Sequence, residues 1–164
     1  MSNIIVHATN GHEFETEVLS KRAHFTGHNQ LKFLNFDEAI DWVVAHQPRK
    51  WNTRRPRTVL GLALFEAVRI ALPPQHQTHL QLFVAVDSVL DSPHGVDGFF
   101  QCGSIWTIAT FDLSIVPHPS KTPNHRIITK ADFENHLDEV GSEIASELLE
   151  KIYRYEQLTA QNTT

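Results

Sequence analysis

The stretch HLQLFVAVDSVLDSPHGVDGFFQCGSIWTIATFDLSIV, residues 79–116, decides the fold class, because two apolar runs flank a segment rich in Asp, Pro and Gly. Alternating apolar residues bounded by turn formers mark strands joined by a hairpin loop. The reading gives two long strands, His79 to Leu90 and Phe99 to Val116, around the loop DSPHGVDG. Centring the loop between His94 and Gly95 sets Leu80, Leu82, Val84 and Val86 opposite Ala109, Thr107, Ile105 and Gly103. The opposite face, with Phe83, Ala85, Trp106 and Ile108, is too apolar for open water, so a helix or a second subunit is expected to cover it.

Upstream of this hairpin, Thr58 to Leu72 (TVLGLALFEAVRIAL) is apolar on nearly every side and stops at Pro73-Pro74, which predicts a buried helix. Asn35 caps another helix beginning FDEAIDWVVAHQ, with Asp37, Glu38 and Asp41 near its positive end and Pro48 beyond it. Downstream, Thr129 and Asp132 form a capping box, and an apolar stripe through Phe133, Leu137, Val140, Ile144, Leu148, Ile152 and Tyr155 predicts a helix to about Leu158. Gly141 is a weak point in it, and residues 160–164 are expected to fray.

Nearer the start, Phe14, Thr16 and Val18 alternate with three glutamates, which reads as a half-exposed strand, and Ile4 to Ala8 reads as another. Asn10-Gly11 between them is a hairpin turn signal. His24 to His28 and Leu31 to Leu34 read as further short strands. The expected architecture is therefore α+β. An antiparallel sheet with a long central hairpin is packed by three helices, one buried and one a long C-terminal amphipathic helix, in a single domain spanning 1–164.

Composition bounds the function class. The lone Cys102 can form no internal disulfide, which suits a cytoplasmic protein stabilised by packing, and it reads as a buried inert thiol. The N-terminus lacks the pattern of a secretory signal, and Thr58 to Leu72, interrupted by Glu66 and Arg69, is too short for the roughly 20 apolar residues of a bilayer span. No membrane association and no cofactor are expected, since Walker, GxGxxG, GxSxG and HExxH patterns are missing.

The charge distribution supplies the leading candidate site. RKWNTRRPR, residues 49–57, holds five of the 14 Lys and Arg, while the rest of the chain sets nine against all 19 Asp and Glu, a balance of −10. Arg49, Lys50, Arg54, Arg55 and Arg57 are forked or pointed anion donors, and Trp51 could stack. Arginines just before a helix N-terminus are unfavourable unless an anion joins them. That anion is expected either from the acids of residues 132–156, within the chain or across a homo-oligomer, or from a partner such as nucleic acid or a phosphate ligand.

The leading expectation is a non-enzymatic binding or assembly protein that self-associates. Two alternatives stand beside it. One is a nucleic-acid-binding protein, although a net-acidic chain is a poor generic one. The other is a metal-dependent or acid/base hydrolase built from His76 and His79 with Asp87, Asp91, His94 and Asp97. His76 and His79 are the candidate metal ligands, while His24 and His28 are too far apart along a strand to share one ion.

Overall fold

A computed structural model describes residues 3–20, 34–88, 90–119 and 125–163. In chain order the elements are α1 (Gly11–Leu19), α2 (Phe36–Ala45), α3 (Val59–Ala71), the single turn α4 (Pro74–Gln77) and β1 (Leu80–Val84). A second single turn, α5 (Asp91–His94), precedes β2 (Gly98–Cys102), β3 (Ile108–Ser114), β4 (Arg126–Thr129), α6 (Lys130–Asn135) and α7 (Leu137–Gln161). The fold is α+β, with a four-stranded sheet in the order β1-β2-β3-β4.

The sheet is mixed rather than antiparallel. β1, β2 and β3 form an antiparallel meander, but β4 joins β3 in parallel, with Phe111 opposite Arg126 and Ser114 opposite Thr129. The expected long strand Phe99 to Val116 is broken by a tight turn at residues 103–107. Gly103 takes a left-handed φ of 79° there, and the Thr107 hydroxyl donates to the carbonyls of Cys102 and Ser104. Leu80 consequently pairs with Cys102, not with Ala109, which faces Phe100 one strand further on. The apolar face survives the change of register, because Leu80, Leu82, Val84, Phe100, Ala109 and Phe111 all enter one core.

The N-terminal segments also differ from expectation. Residues 13–18 are helical, since Phe14 and Val18 are as well spaced for one helical face as for one strand face. Asn10 is the N-cap of α1, accepting from Glu13 N at 2.9 Å, rather than a hairpin turn residue. Ile4 to Ala8 takes neither strand nor helix form. Its backbone donors go to carboxylates instead: Val6 to Glu134, and His7 and Ala8 to the two oxygens of Glu17 at 2.9 and 2.8 Å. The His24 to His28 segment and residues 31–33 lie outside the described residues.

The two capping boxes form where the sequence puts them, at Asn35 with Glu38 and at Thr129 with Asp132. The final helix is interrupted, however, because His136 leaves helical geometry between α6 and α7, and α7 then runs to Gln161. The greasy α3 lies beneath α1 and α7 and shares the main core with the sheet. Ala39, Ile40 and Val43 of α2 cover the other sheet face, meeting Phe83, Ala85 and Phe99, which is the helix alternative of the expected cover. Phe83 and Phe99 stack there with ring centroids 5.1 Å apart.

β1 is a sheet edge, and side chains close it. Gln47 acts as a surrogate strand residue, its Oε1 accepting from Val84 N at 2.9 Å and its Nε2 donating to Val84 O at 2.8 Å. Further along, Leu82 N donates to Thr53 O at 2.8 Å and the Trp51 indole N–H donates to Leu82 O at 2.9 Å. No helix among the described residues is long and apolar enough to cross a membrane.

Candidate functional site: a cationic cleft beside the sheet edge

The basic strip is fastened to that edge by its neutral residues, while its cations face outward. Asn52 forms the local scaffold, its Oδ1 accepting from Arg54 N at 3.0 Å and Arg55 N at 3.2 Å, which fixes the turn before α3. Thr58 then caps α3, its hydroxyl accepting from Gly61 N. Trp51 is buried at 9% exposure and spends its only donor on Leu82, so it offers no stacking surface. The stacking expected of Trp51 is therefore not met. The exposed indole belongs to Trp106, at 64%, in the turn between β2 and β3.

Arg49, Lys50, Arg54, Arg55 and Arg57 are all exposed. Among the described residues none of the five takes part in a salt bridge. Three of the acids expected to neutralise them are engaged elsewhere: Glu143 with Arg126, Glu147 with Lys151 at 3.5 Å, and Glu150 with Arg154. Neutralisation within one copy of the chain is therefore not found among the described residues.

Two strip residues line a cleft of about 400 Å³. Arg54 and Arg55 form one wall, Arg69 and Glu66 from α3 the other, and Leu62 and Phe65 contribute apolar surface. Arg54 reaches across to donate from Nη1 to Thr78 O at 2.7 Å. Arg69 is held by Glu66, with Nη2 to Oε2 at 2.6 Å, and by Gln77 Oε1 at 3.1 Å. Three guanidinium groups thus surround the cleft against one carboxylate that is already paired. An open, partly desolvated cavity with that balance attracts an anion, and the planar donors suit phosphate or carboxylate oxygens.

His76 and His79 adjoin this cleft in sequence, on either side of Gln77 and Thr78, which line it. His76 O accepts the backbone N–H of His79 at 3.1 Å and the Cys102 thiol at 3.5 Å. Burial pushes the Cys102 thiol up from its ordinary range, consistent with an inert core residue. Among the described residues no group of three or more His, Cys, Asp or Glu could hold a metal ion.

The carboxylates of the hydrolase alternative lie elsewhere. β1 separates His79 from Asp87, and five strand residues span about 17 Å, so the histidines and aspartates occupy opposite ends of the sheet. His94 packs edge-on against Phe36 at 5.6 Å, with its Nε2 at 3.2 Å from Leu34 O, and ties its loop to the start of α2. Asp91 Oδ2 accepts from Asp87 N at 2.7 Å.

One feature there escapes sequence reading. Asp97 is only 1% exposed, its Oδ2 accepts from Leu113 N at 2.7 Å, and its side chain is hydrogen-bonded to that of Asp112 on β3. Burial first, and then the neighbouring carboxylates of Asp112 and Asp91, push Asp97 up to about 11. Burial likewise raises Asp91. Asp97 is therefore held in its protonated form within this buried carboxylate cluster, a structural contact rather than an accessible acid. Its loop position, beside Gly95 and Gly98, suggests a turn residue, and its burial against Asp112 and Asp91 gives it this role.

Comparison with protein-family models, with curated protein sequences and with solved structures finds no match.

Proposed function

We propose that this chain is a non-enzymatic binding protein that receives an anionic partner on the cleft of Arg54, Arg55 and Arg69 and the adjoining strip of Arg49, Lys50 and Arg57. The observation that carries the reading is the unpaired state of all five strip cations among the described residues, beside a cleft whose third arginine is already oriented. Cations gathered at a helix N-terminus repel the helix dipole and one another, so an incoming anion gains from all of them together. The hydrolase alternative draws less support, because its histidines and carboxylates stand at opposite ends of β1. We read the protein as cytoplasmic, where a lone buried cysteine is the ordinary condition.

The test is fluorescence anisotropy with two labelled probes, a single-stranded oligonucleotide and inorganic polyphosphate, at low and physiological salt. Binding that weakens with salt and is lost in an Arg54→Ala/Arg55→Ala variant is expected, with each lost phosphate contact reducing the salt slope by about one. Affinity for both probes that is unchanged by the double substitution overturns the reading, as does a folded monomer with no affinity for either probe at low salt.

A further inference from the structure

Helix α3 leaves one ridge uncovered. At about 100° per residue, Val59, Glu66 and Ile70 fall nearly in line along it, and Val59 and Ile70 are 82% and 63% exposed. On one flank of the ridge, Leu62, Phe65 and Arg69 turn toward the cationic cleft that holds Arg54 and Arg55. On the other flank, Ala63 and Ala67 turn toward a second groove of about 490 Å³, whose wall carries Glu134, Asp138 and Glu139 from α6 and α7. A ridge of two exposed aliphatic side chains, with Glu66 between them bound to Arg69, thus divides a positive hollow from a negative one.

We propose that the anionic partner of the cleft is a second copy of this chain, the two α3 ridges packing side by side and parallel about a twofold axis that runs along the helices. The symmetry follows from charge. A twofold axis along α3 exchanges left and right flanks, so each copy's arginine cleft faces the other's acidic groove. A twofold axis across α3 would set like against like, with cleft on cleft and groove on groove. The parallel arrangement also brings Val59 to Val59 and Ile70 to Ile70, withdrawing those apolar side chains from water, while Glu66 between them stays bound to Arg69 of its own copy. This inference rests on the anion-binding reading above and names the occupant of that same cleft. It accounts as well for a strip with no counter-charge among the described residues of its own copy, since the chain carries the complementary acids on the far side of the same helix.

The experiment is sedimentation velocity over a wide dilution series at low and physiological salt. The native chain is expected to pass from monomer to dimer with rising concentration, and to dissociate more readily as salt screens the cross-contacts. Arg54→Glu/Arg55→Glu alone and Asp138→Lys/Glu139→Lys alone are each expected to remain monomeric. An equimolar mixture of the two is expected to form a one-to-one heterodimer, because both of its cross-contacts are again opposite in sign. Since Asp138 and Glu139 also favour the start of α7, a third variant, Ile70→Glu, tests the ridge at an exposed position that leaves the core alone. A native chain that stays monomeric at every concentration, or a dimer indifferent to both charge reversals, overturns the proposal. If the chain is monomeric yet still binds the oligonucleotide through Arg54 and Arg55, the cleft serves nucleic acid and only the identity of the partner falls. Loss of both behaviours removes the anion-binding reading as well.

Discussion

Gly141 rides against Ala67 with so little clearance that a Cβ on the glycine would fall 2.6 Å from both the carbonyl carbon and the oxygen of Ala67. The residue that weakens α7 as an isolated helix is what lets α7 lie close along α3. Gly141→Ala is expected to destabilise the fold by about 1–3 kcal/mol, because overpacking against backbone outweighs a gain of about 1 kcal/mol in helix propensity. Urea unfolding measures it. An unchanged or raised midpoint would show that the helices separate without penalty.

The proton held by Asp97 gives stability a distinct pH dependence. Its carboxyl is raised to about 11 in the fold, whereas in the unfolded chain it ionises near 3.9. The contribution is therefore complete below about pH 4 and falls as pH rises, by up to about 1.4 kcal/mol per unit, throughout the neutral range. Asp97→Asn keeps a neutral side chain that can still accept from Leu113 N. It is expected to flatten the decline between about pH 5.5 and pH 8 in chemical denaturation curves. A variant as pH-dependent as the native chain would remove Asp97 as the source.

Closure of the β1 edge depends on one amide. Gln47→Ala leaves Val84 N and Val84 O without their partner, at a cost of about 1–3 kcal/mol. It also uncovers an edge that can pair with another chain. Lower thermal stability together with faster, concentration-dependent aggregation on mild heating is expected. Equal aggregation of variant and native protein would mean that Trp51 and Thr53 suffice to seal the strand.

Much of the architecture is legible in the sequence because its signals are local. Asn35 with Glu38 and Thr129 with Asp132 are caps three residues apart, and Thr58 to Leu72 announces burial by composition alone. What the sequence hides depends on distant partners. Phe14 and Val18 satisfy two periods at once, and only the tertiary core decides for a helix. Gly103-Ser104 is a turn signal that the surrounding apolar run conceals, and β4 is four residues whose pairing partner lies 15 residues upstream. The same limit applies to the cleft. The strip is visible as composition, but its union with Arg69 and the His76 to His79 turn arises from how β1 follows α3, and the burial of Trp51 from an edge carbonyl 31 residues away.

The manner in which residues 47–53 are stitched to β1 has a consequence for whatever meets the cations that follow. Gln47, Trp51 and Thr53 bind the strand through its backbone, so Arg54 and Arg55 project from a part of the sheet rather than from a swinging arm. A partner would therefore find donors already in place and lose little conformational entropy in ordering them, which favours a rigid, selective contact over an adaptable one. By the same token a force applied to the strip is transmitted directly into the edge strand, and docking there would brace the sheet it touches.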